Sequence, residues 1–123
     1  MPWLSNEILD GGLDVLDVSG TRLDICDTAE PTTYSLATVD GTNSLGNATC
    51  SIAAPEDAAS GRKVVVAEIT DGTVTETGTA SYYAITNGSD TLYATGELSA
   101  PQAVTDTNTF TLTSFEITIP DPA

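Results

Sequence analysis

Apolar and polar residues alternate over most of the second half of the chain, the period-two signature of half-buried strands. Residues 62–70 are rich in valine and isoleucine. Asp71-Gly72 follows, a dipeptide favoured in tight hairpins because both central positions need positive φ, and 74–86 reads as the return strand. Asn87-Gly88-Ser89-Asp90 predicts a turn into a strand over 91–98. Ser99-Ala100-Pro101 breaks the pairing ahead of Ala103-Val104, and a last strand spans 109–119 before Pro120-Asp121-Pro122 ends it.

That last strand changes parity. Phe110 and Leu112 are even, whereas Phe115, Ile117 and Ile119 are odd, so strict alternation cannot place both sets on one face. Either Thr113-Ser114 is a bulge, or the strand passes there from one sheet to another. Both fit two packed sheets better than one flat sheet.

Residues 1–54 are less regular. Residues 22–27 alternate, with Leu23 and Ile25 facing one way and Arg22, Asp24 and Cys26 the other. Thr28-Ala29-Glu30-Pro31 predicts a turn, 33–39 a strand or a short helical turn, Asp40-Gly41-Thr42-Asn43 another turn, and 44–52 a weak strand. The small, polar run 53–61, with Pro55 and Gly61, is a loop. Trp3, Leu4, Ile8 and Leu9 share one side of a short helical turn beginning after Ser5, with Gly11-Gly12 as its stop. Too short to stand alone, it packs on its own core or lies on a neighbouring subunit. The expectation is an all-β antiparallel β-sandwich over 21–123, preceded by an irregular N-terminal arm over 1–20. A jelly roll is one topology for it, depending on whether the first strands pair with the last.

Charge narrows the function. Eighteen carboxylates face three basic residues (Arg22, Arg62 and Lys63), with no histidine and a net charge of −15. No cationic groove can neutralise a run of phosphates, so nucleic acid and anionic membranes are excluded as partners. No stretch approaches the ~20 apolar residues that span a bilayer. The first residues have neither the basic nor the apolar region of a secretory signal, so cytoplasmic synthesis is expected. Cys26 and Cys50 could pair by count, but without an export signal they are expected to be reduced and buried. At 40% hydrophobic and 6% aromatic residues the core is thin, which favours a protein that gains order by self-association or docking.

No catalytic, cofactor or metal site is expected. Glu68, Glu76, Glu97 and Glu116 fall in predicted strands, but the single tryptophan lies in the arm, away from any sugar-binding pair of carboxylates. Asp10, Asp14, Asp17, Asp24 and Asp27 offer hard oxygen ligands without the loop spacing of a calcium site. Serine and cysteine nucleophiles lack a histidine base. Tyr82 and Tyr83 point to opposite faces, which puts one ring in the core and the other at the surface.

Several stretches resemble a family of small virion proteins of tailed bacteriophages and prophages of alphaproteobacteria. They are Arg22-Leu23-Asp24-Ile25-Cys26, Asn43-Ser44-Leu45-Gly46-Asn47, Gly61-Arg62-Lys63-Val64, Thr77-Gly78-Thr79-Ala80, and Leu98-Ser99-Ala100-Pro101-Gln102-Ala103-Val104-Thr105. Thr109-Phe110-Thr111-Leu112 and Ile119-Pro120-Asp121-Pro122-Ala123 complete the series. The resemblance implies a virion structural protein with no catalytic residue. Among virion roles, a capsid decoration, or cement, protein on the outer surface of the head suits an acidic domain, which packaged DNA repels. Its partners would be the major capsid protein and further copies of itself. Trp3, Leu4, Ile8 and Leu9 are the expected anchor, while Arg22, Arg62 and Lys63 pair with acidic groups on partners or within the chain. The alternative is a tail or fibre-associated β-domain with an adhesion role.

Overall fold

The computed structural model describes residues 6–27, 30–38 and 43–120. In chain order the elements are α1 (Asn6–Ser19), β1 (Arg22–Cys26), α2 (Tyr34–Thr38), β2 (Ser44–Thr49), β3 (Glu56–Asp57), β4 (Arg62–Val66), β5 (Ile69–Val74), β6 (Gly78–Thr86), β7 (Leu92–Val104), β8 (Thr109–Leu112) and β9 (Phe115–Ile119). Every strand pairing is antiparallel. A six-stranded sheet has the order β7-β6-β1-β2-β5-β8, and a three-stranded sheet has the order β3-β4-β9. The fold is therefore the all-β, sandwich-like arrangement that the alternation predicted. Because β1 pairs with β2 and β6, and β9 with β4, the first strand does not meet the last as a jelly roll requires.

The parity change at Thr113-Ser114 is a passage between sheets: β8 pairs with β5 in the large sheet and β9 with β4 in the small one. The opposite arm does the same, since β4 and β5 belong to different sheets on either side of Ala67-Glu68. β4–β5 and β8–β9 thus form one antiparallel ribbon that bends across the molecule. Its inward residues Val64, Val66, Val74 and Phe110 are buried.

Asp71-Gly72 is consequently not a hairpin turn. It lies inside β5, where the ladder to β8 slips between Ile69 and Gly72. A Cβ on Gly72 would stand 2.2 Å from the Phe110 ring, so glycine is needed there for close approach rather than for a turn. Asn87-Gly88-Ser89-Asp90 does turn the chain. Gly88 has φ +77°, and the Asn87 side-chain carbonyl accepts bonds from the amides of Ser89, Asp90 and Thr91. The interruption at Ser99-Ala100-Pro101 is also present. Tyr82 pairs with Glu97 and Ala80 with Gln102, so one residue of β6 faces four of β7 across a wide bulge.

The N-terminal segment departs from expectation. Gly11-Gly12 does not stop the helix; α1 runs for 14 residues to Ser19. Leu13 and Leu16, one turn apart, are buried in the main core, and that packing outweighs the poor helix propensity of two glycines. Arg62 ties the helix down. Its Nε and Nη2 donate to the two carboxylate oxygens of Asp10 (2.8 and 3.2 Å), while Nη1 donates to Asp57 and Nη2 also to the Pro55 carbonyl. The segment is a docked helix rather than an irregular arm. Trp3 and Leu4 lie outside the described residues, as do Thr28-Ala29, Asp40-Gly41-Thr42 and Asp121-Pro122-Ala123 of the expected turns and terminus.

β1 is covered on both faces. Leu23 and Ile25 join the main core, while Cys26 packs with Ala37 of α2 and Ala84 of β6 in a second cluster. The stretch predicted as strand or helical turn is the helix α2, which caps this face. Tyr83 packs on the first cluster and Tyr82 on the second, so neither ring stands free on the surface. Both cysteines are free, buried thiols in different clusters, in line with the reduced pair expected from the sequence.

Candidate interaction groove

The expected site residues do not gather into one surface. Ile8 and Leu9 lie in α1. All three bases are engaged within the chain: Arg22 with Asp24, Arg62 with Asp10 and Asp57, and Lys63 with Glu116. Of the two roles left open for them, intrachain pairing is what the structure contains. Asp24 is fully buried, held by a two-pronged contact from Arg22 and by the Ser44 hydroxyl at 2.7 Å. The hydrogen bond to Glu116, above all, raises the Lys63 pKa, and bonds to Asp10 and Asp57 raise that of Arg62. The crowded aspartates are dispersed: Asp10 and Asp24 serve ion pairs, and Asp14 is exposed on α1. Among the described residues no three carboxylate or cysteine side chains come together to hold a metal ion.

A groove forms instead where two irregularities meet. β7 and β8 are the two edges of the large sheet, yet they follow each other in the chain, joined by residues 105–108. Gln102 Nε2 donates to the Thr111 carbonyl across the gap at 3.2 Å. The sheet therefore curls until its edges face one another along a seam without closing it. At the open end the β7 bulge stands opposite the corner at Thr113-Ser114, and two adjoining hollows of about 300 Å³ each occupy the space. Leu98, Leu112 and Thr113 border both. Tyr83, Glu97, Ser114, Phe115 and Glu116 complete the first, and Glu68, Ala100, Gln102 and Thr111 the second.

Local sequence explains each wall. Tyr83 pairs across the ladder with Gly96, and its ring occupies the space a Cβ there would need, 2.7 Å away. This leaves the ring free to meet Phe115 with centroids 4.5 Å apart, tilted by 44°. Burial first, and the charge of Glu30 second, raise the Tyr83 pKa, so the phenol stays neutral. Pro101, which cannot donate to a ladder, keeps the bulge open at the sheet edge. Of the four glutamates placed in strands by the sequence, only Glu97 and Glu116 are in strands; Glu68 sits at the ribbon's corner and Glu76 in the β5–β6 connection. Glu97 and Glu116 nonetheless border the first hollow, and Glu68 the second. Sequence reading located both irregularities, Ser99–Pro101 and Thr113-Ser114, but a curled sheet was needed to bring them together.

A second exposed feature lies on α1. Val15 and Val18 are 47% and 74% exposed, beside exposed Gly11, on the face opposite Leu13 and Leu16. No family model, curated protein or solved structure matches the chain.

Proposed function

We propose that this protein is a virion structural component of a tailed phage, a decoration protein that sits on the outer surface of the head and bridges major capsid proteins. The observation that carries this reading is electrostatic. The three basic side chains are each used inside the fold, so the surface offered to any partner is anionic. Such a surface is repelled by packaged DNA and by acidic lipid, and is drawn to basic protein. The exposed Val15 and Val18 of α1 and the half-apolar groove add surface for modest contacts that multiply across a lattice. The resemblance of residues 22–123 to phage virion proteins points the same way.

Depletion and add-back test the reading. Particles stripped of the protein should release their DNA at lower temperature than complete particles, and purified protein should restore the loss at a stoichiometry of many copies per head. Particles that lack the protein on the shell, or carry a few copies at the tail end alone, would contradict it and favour the tail or fibre role.

A further inference from the structure

We infer that the groove between the β7 bulge and the β8–β9 corner receives a cationic side chain, an arginine or a lysine, from a protein partner. The inference deepens the docking reading and rests on it for the nature of that partner. The strongest polar groups of the lining are acceptors. Glu68 and Glu97 have no ion-pair partner among the described residues, whereas Glu116 is already matched by Lys63. Gln102 is committed across the seam, its Nε2 donating to the Thr111 carbonyl. Two unmatched carboxylates beside an apolar wall favour a positively charged, donor-rich occupant.

The apolar half of the groove fits the rest of such a side chain. Leu98, Leu112 and Phe115 offer a wall for a methylene stem, and the Tyr83–Phe115 pair presents aromatic surface to a cation. Each hollow, at about 300 Å³, takes a side chain rather than a helix or a strand. The chain cannot supply the cation, because Arg22, Arg62 and Lys63 are occupied. A second copy would bring −15 against −15 and no spare base, so the occupant comes from a different, basic protein.

The test uses the ¹⁵N-labelled full chain, followed by amide shifts at ~150 mM salt, where long-range attraction is screened. The probes are Nα-acetylarginine amide, its uncharged look-alike Nα-acetylcitrulline amide, and glucose. Saturable shifts at Leu98, Leu112, Thr113 and Phe115 are expected with the arginine probe alone. The Glu68→Gln/Glu97→Gln variant should bind it about tenfold more weakly, whereas Asp14→Asn, on the exposed face of α1, should bind it unchanged. The inference is overturned by arginine shifts scattered over the acidic surface, by equal shifts from citrulline, or by glucose filling the groove. In the same add-back assay, the double variant should restore stripped particles at least about tenfold less effectively. Full restoration by that variant would overturn the inference while leaving the docking reading in place.

Discussion

At the scale of single residues, polar groups buried inside a thin core carry the most weight. Asp24 has no exposure, and hydrogen bonds from Arg22 and Ser44 hold it. Asp24→Ala strands both donors and should lower unfolding stability by about 3 kcal/mol or more, measured by urea denaturation. The cysteines show a different consequence of burial. Burial, then the charges of Asp24 and Asp27, push the Cys26 thiol up to about 12, and burial pushes Cys50 up to about 11. Each thiol donates to a backbone carbonyl, of Ala37 and Gly20 respectively. Neither should react with a thiol reagent at pH 8 in the native state, and both should react once the chain is unfolded. Because the folded pKa values lie above the ordinary 9.0, the folded state holds more protons than the unfolded one between pH 9 and about 12. Stability attributable to the thiols is present in full below pH 9 and falls as pH rises through that window. A urea midpoint that stays level from pH 8.5 to 10.5 would contradict the burial of these groups.

At the scale of elements, two backbone features are open to change. Gly11 is on the exposed side of α1 with nothing within 4 Å of where a Cβ would stand. Gly11→Ala should therefore stabilise the protein by about 0.5–1 kcal/mol. Gly72→Ala should do the reverse, since the Phe110 ring must move to admit a methyl group; a lowered thermal midpoint would register it. These two glycines also mark what was legible in the sequence. Alternation revealed the strands, and the parity of Phe110 and Leu112 against Phe115, Ile117 and Ile119 revealed a break at Thr113-Ser114; a bulge and a passage between sheets both fitted it until the pairing of β8 with β5 and of β9 with β4 decided for the passage. The Asp71-Gly72 pair misled, because a dipeptide suited to positive φ is equally suited to lying under an aromatic ring. Gly11-Gly12 misled in α1 for a related reason: local propensity argues for a stop, and the burial of Leu13 and Leu16 overrides it. The groove was legible only as two separate irregularities. Leu98 and Leu112 lie on consecutive strands, but those strands are opposite edges of the six-stranded sheet, and its curl sets them on one wall.

At the scale of the whole molecule, electrostatics opposes compactness. A net charge of −15 on 123 residues repels itself, with each base already committed to one or two neighbours. Salt should relieve this: the thermal midpoint is expected to climb as sodium chloride rises from ~10 mM to ~500 mM, as the Debye length shortens. The same field gives the proposed docking its direction, towards basic protein and away from DNA. Imaging of virions with density traced for this chain tests that claim most directly. Many copies are expected on the outside of the head, each contacting capsid protein, with an arginine or lysine of the shell lying between the β7 bulge and the β8–β9 corner. Heads bare of this chain, or density for it only on the tail, would contradict it.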